Sequence, residues 1–155
     1  MAQSSLTPGP GVPVRDALGP YLMGSASAKA TIDGVAATTG DWKEVPWPGA
    51  VQVLLELGAI GADVSDIDIE IQAADAEDAD GDPDAIVRLG RFGAFGPTDD
   101  NTSAVLEVAS YHRYMRAVVN ITESGDDDAV GLAISLVSPD NIRGEAVGAG
   151  PVIDS

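Results

Sequence analysis

No cysteine occurs among the 155 residues, which excludes a disulfide framework, a thiol nucleophile and any Cys-ligated zinc or iron–sulfur site. Basic residues are scarce. Eight Lys and Arg face 25 Asp and Glu, for a formal net charge of −17. Nucleic acid needs clustered Lys and Arg to meet its phosphates, so this balance argues against it as a partner. An anionic membrane surface is disfavoured for the same reason. No stretch approaches about 18 uninterrupted apolar residues, so no transmembrane helix is predicted. The N-terminus has no basic segment leading into an apolar run, and no signal peptide is predicted. Aromatic residues make up only 5% and there is a single His, so each of these side chains is worth placing individually.

What is present is acid, glycine and proline. Lys29 and Lys43 are the only lysines, and the carboxylates are 18 Asp against 7 Glu. Such a surface stays hydrated where salt screens its self-repulsion. It resembles the surfaces of proteins from salt-loving organisms or their viruses, and a high-GC genome with a few acidic loops gives the same composition. The length suits one domain with tails and can bury a modest core without staples.

Residues 1–28 read as an extended N-terminal arm, because Pro8, Gly9, Pro10, Gly11, Pro13, Gly19, Pro20 and Gly24 interrupt it and its apolar residues have no period. Tyr21, Leu22 and Met23 form a sticky spot inside that arm. Residues 138–155 read as a second arm, with Pro139, Gly144, Gly148, Gly150 and Pro151. Arms of this kind order by lying on a neighbour or not at all. Between them, residues 29–137 are a run of strands. Ile67, Ile69 and Ile71 alternate with Asp66, Asp68, Glu70 and Gln72, the clearest period of two in the chain. Similar alternation runs through Val51–Leu57, Met115–Thr122 and Val130–Leu136, with less regular strands at 30–37, 85–92 and 104–109. No long 3.6-residue period competes. The expectation is an all-β fold, an antiparallel jelly-roll-like β-sandwich of about seven to eight strands.

Ten carboxylates and no base lie between Asp63 and Asp84. Asp78, Asp80, Asp82 and Asp84 are weak candidates for a cation site, since hard cations take several oxygen ligands. The EF-hand pattern fails: counted from Asp78, glycine comes at position four instead of six, and Leu89 stands where the bidentate Glu belongs. A solvated hairpin tip is the favoured reading, as it is for Asp126-Asp127-Asp128. His112 has no nucleophile or metal motif around it, so no catalytic residue and no cofactor are predicted. Tyr111, Arg113, Tyr114 and Arg116 concentrate interface-type side chains at the entry to one strand. The competing account is that these arginines neutralise the chain's own carboxylates, such as Asp68 and Glu70. Trp42 and Trp47 flank Val45-Pro46, and either cap the open end of the sandwich or face a partner, with capping favoured.

The order of these segments resembles a known class. Gly49–Ile60, Asp66–Gln72 with its acidic tip, Gly93-Ala94-Phe95, the Arg113-Tyr114-Met115-Arg116-Ala117-Val118-Val119 strand and a closing strand at 129–137 follow one another. This is similar to small β-sandwich virion proteins of tailed bacteriophages and related archaeal viruses, read as capsid decoration (cement) or auxiliary head proteins. The resemblance covers about residues 30–137, and the acidic tip and the arms lie outside the shared pattern. It implies a non-enzymatic structural protein that binds the outer surface of the major capsid protein lattice. It also implies a location on the capsid exterior after assembly in the host cytoplasm, and a homo-oligomer, with a trimer suited to a threefold position. The interface would draw on Tyr21, Leu22, Met23, Trp42, Trp47, Tyr111, Arg113, Tyr114 and Arg116. The alternatives are a head–tail connector or tail-associated protein, and a secreted cation- or carbohydrate-binding β-sandwich.

Overall fold

The computed structural model describes residues 18–33, 37–47 and 49–138. Among these residues ten strands form two antiparallel sheets of five. In the first sheet, β10 (Val130–Val137) lies between β5 (Gly49–Ile60) and a broken edge row made of β1 (Leu18–Met23) and β2 (Ala30–Ile32). The far side of β5 pairs with β8 (Ser103–Ser110). In the second sheet, β9 (Tyr114–Glu123) lies between β6 (Val64–Ala74) and a broken row of β3 (Thr38–Thr39) and β4 (Lys43–Glu44). The far side of β6 pairs with β7 (Val87–Phe95). Counting each broken row as one strand leaves eight strands, four to a sheet. Their order is that of a jelly roll, two Greek keys wrapped face to face.

The core sits between the sheets and follows from the period-two alternation. Ile67, Ile69 and Ile71 on β6, Val119 and Ile121 on β9, and Leu132 and Ile134 on β10 are all buried. Asp68 and Glu70 point outward from β6, so the register expected from the isoleucines is the one observed.

The arm boundary moves. Residues 18–23 were expected in an extended N-terminal arm, yet they pair with β10, and Leu22 and Met23 belong to the core. Gly19 and Pro20 do not break this strand. β1 is an edge, where a proline need not donate to the ladder, and two register shifts accommodate it. At Gly19 a Cβ would stand 2.7 Å from the Trp47 ring, so glycine there marks a close approach. Residues 1–17 and 139–155, the outer parts of both expected arms, lie outside the described residues.

The connections gather at two ends. One end carries the turns at Gly61–Asp63, Gly96–Thr102 and Ser124–Ala129. There Asp127 is not the tip of a hairpin within a sheet. Its carboxylate accepts from Ala62 N–H at 3.1 Å, and its N–H donates to the Asp63 carboxylate at 2.9 Å. These bonds tie the β5–β6 and β9–β10 crossings together, and both acids are used by the fold. The other end carries the β4–β5, β6–β7 and β8–β9 connections, and with them most of the candidate site residues.

Candidate functional site

At this second end the sandwich presents its aromatic and arginine side chains beside the acidic β6–β7 connection. Two single-turn 3-10 helices, Ala79–Gly81 and Pro83–Ala85, fold that connection back on itself. The Asp82 carboxylate accepts from the Asp84 N–H at 3.2 Å, capping the second turn. Arg116 holds the first. It is only 9% exposed; its Nη1 donates to Asp80, and its Nε donates to Gln72 Oε1 at 2.8 Å. Its guanidinium lies 4.2 Å from the Trp42 ring centre, a cation–π stack within a nearly closed site. Trp42 packs in turn on Ala74 and Ala79, with Ile86 and Tyr114 alongside. The segment expected as a solvated hairpin tip is therefore pinned to the outer face of the second sheet by one buried cation.

That arrangement separates the four aspartates proposed as cation ligands. Asp80 serves Arg116 and Asp82 serves a backbone N–H, and no group of three or more His, Asp or Glu residues is poised for a metal among the described residues. Asp75, Asp78, Asp82, Asp84 and His112 instead line an open groove of about 710 Å³. His112 Nδ1 lies 3.1 Å from Asp75 Oδ1, joining the β8–β9 turn to the start of the acidic connection.

Arg113 meets Glu44 at 3.3 Å and lies 5.3 Å from the centre of the Tyr114 ring. Tyr111, 85% exposed, is the most exposed large apolar side chain among the described residues and stands over Gly49. Trp47 is half-buried against the core beside Gly19, closing the sandwich as capping requires. The interface set expected from sequence thus divides. Tyr111 and Arg113 are outward, Tyr114 and Trp47 are half-buried, and Trp42 and Arg116 are spent on fixing the acidic connection. Tyr21 lies half-buried away from this end, beside Leu22 and Met23 in the core, along a groove that also includes Thr38, Asp41 and Lys43.

No family model matches this sequence, and no curated protein matches it.

The account in which the arginines serve the chain's own carboxylates holds with changed partners. Arg113 and Arg116 reach Glu44 and Asp80, while Asp68 and Glu70 take Arg91 and Arg88 from β7. Sequence reasoning passed over Arg88 and Arg91. Their spacing of three, offset by a register shift in β7, brings both to the β6 carboxylates, and that shift has no sequence signature.

Proposed function

We propose that this chain is a structural, non-enzymatic protein of a tailed-virus particle that decorates the outside of the capsid by binding the major capsid protein lattice. The observation that carries the reading is the end of the jelly roll at Tyr111. A small sandwich presents an exposed Tyr with Arg113 beside a braced acidic rim, and this supports the reading. Tyr and Arg are the residue types that anchor protein interfaces. The proposal keeps Tyr111 and Arg113 as contacts and releases Leu22, Met23 and Trp47, which the core occupies. Many identical weak contacts across a shell add by avidity, so a small interface suffices. A head–tail or tail-associated position would use the same surface.

Mass spectrometry and a reconstruction of purified particles test this. The expected result is this chain on the capsid exterior in stoichiometric copies, with Tyr111→Ala and Arg113→Ala lowering its occupancy. Particles without the chain would overturn the proposal, and a chain confined to the tail would shift it to the second location.

A further inference from the structure

A jelly roll leaves four sheet edges, and each exposes a row of unpaired N–H and C=O groups unless something blunts it. Three edges here are blunted. The β1–β2 row is interrupted, shifted twice in register and carries Pro20. β3 and β4 are two residues each. β7 is shifted twice and bears the exposed Arg88 and Arg91. β8 has none of these devices. It pairs with β5 over eight consecutive residues without a shift, has no Pro, Lys or Arg, and carries one carboxylate, Glu107.

The phase of its free hydrogen bonds can be read. The Leu57 N–H donates to the Thr102 carbonyl at 2.8 Å, and this pair continues the β5–β8 register. Bonded and non-bonded pairs alternate in an antiparallel ladder, so even-numbered β8 residues are bonded to β5. Ser103, Val105, Glu107 and Ala109 then direct their N–H and C=O groups to the open edge. The same four side chains lie on the outer face and are exposed, Val105 by 59%.

We propose that two copies of this chain join through the free edge of β8, antiparallel about a two-fold axis at Leu106, so that one sheet runs through both molecules. An axis normal to the sheet pairs residues of the same face, hence odd-numbered with odd-numbered. Centring it on Glu107 would set two carboxylates opposite one another. Centring it on Leu106 sets Val105 against the partner's Glu107 and Ser103 against the partner's Ala109. All four are residues with free backbone groups.

Charge selects the same place. Along β5, β8 and β10 the outer face carries only Glu56 and Glu107, in a chain of net charge −17. Leu54 and Val105 form a cross-strand pair at its centre. A second copy meets least repulsion here, and the remaining repulsion makes the association tighten with salt. The pairing is two-fold, in contrast to the trimer that a threefold lattice position would ask for, and it stands whether or not the chain belongs to a particle.

Sedimentation of the full chain tests it, at concentrations from about 1 to 300 µM, the range that reads micromolar dissociation constants. It is run in low salt and in 1 M NaCl, with Val105→Pro and Val105→Glu as variants. Val105→Pro removes an N–H that bonds nothing among the described residues, a position where an edge strand tolerates proline. Dimer is expected to grow with concentration and salt. Both variants should melt close to the parent and raise the dissociation constant at least about tenfold at low salt, Val105→Pro by removing a hydrogen bond between the copies on each side of the axis and Val105→Glu by setting like charges opposite one another at both Val105–Glu107 pairs. Hydrogen exchange should show the amides of Ser103, Val105, Glu107 and Ala109 slowing together as dimer forms. If Val105→Pro loses the fold, Val105→Glu decides. A chain that stays monomeric, one that sediments as a trimer, or a dimer indifferent to both variants overturns the proposal.

Discussion

Replacing Arg116 removes three contacts at once: the Trp42 stack, the Gln72 amide and the Asp80 carboxylate. Asp80 is well exposed, so solvent screens its share, and most of the effect comes from the stack and the amide bond. Arg116→Ala should cost about 2–3 kcal/mol in denaturant unfolding, by the usual worth of a desolvated cation–π pair plus a charged hydrogen bond. It should also speed amide exchange across the acidic connection. Arg116→Lys keeps the charge but not the planar fork, and should recover less than half of the loss. In the core, Ile69→Ala should destabilise by about 3–4 kcal/mol, as a fully buried large-to-small change. At the opposite end, a Cβ on Gly61 would fall onto the Asp127 carbonyl, so Gly61→Ala should lower the melting temperature by disrupting the crossing of β5 into β6.

At the scale of elements, β1 distinguishes a strand of the fold from a detachable arm. Leu22 is 2% exposed and packs in the main core. Leu22→Ala should therefore cost about 2–4 kcal/mol by thermal or urea unfolding, the range for a buried leucine, where an arm residue would cost nothing measurable. Deleting residues 1–28 should leave β10 from Ile134 to Val137 without its edge partner and abolish cooperative unfolding. A truncated chain that melts like the parent would return β1 to the arm. Little of β1 was legible in the sequence, because its glycine and proline carry the usual signs of a break. They are tolerated only by virtue of the strand's edge position and the Trp47 ring above Gly19, and both are long-range facts.

For the whole molecule, charge is the quantity that matters. The four described arginine–carboxylate pairs use four of the 25 carboxylates and leave the excess of acidic over 8 basic residues unchanged. The folded chain crowds that excess into a smaller volume than the unfolded chain does, and screening shortens to about 3 Å near 1 M salt. The melting temperature should rise from low to molar NaCl, most steeply at the low end. Calcium should give no separate rise, because Asp80 and Asp82 are already committed to Arg116 and to the Asp84 N–H. A melting temperature flat in NaCl, or one that jumps with millimolar calcium alone, would overturn this account of the acidic residues.

By itself the sequence determined the all-β class, the inward set on the long strands and the acid excess, since a period of two and a count of charges are local properties. It also pointed to the Tyr111–Arg116 segment as distinctive. Which arginine meets which carboxylate, which aspartates are left for solvent, and which edge stays open were decided only by the tertiary structure. Those outcomes depend on register shifts in β1 and β7 and on a topology that brings the β4–β5, β6–β7 and β8–β9 connections to one end. A one-residue shift moves every later side chain relative to its cross-strand partner, and no local pattern in this sequence records where such shifts fall.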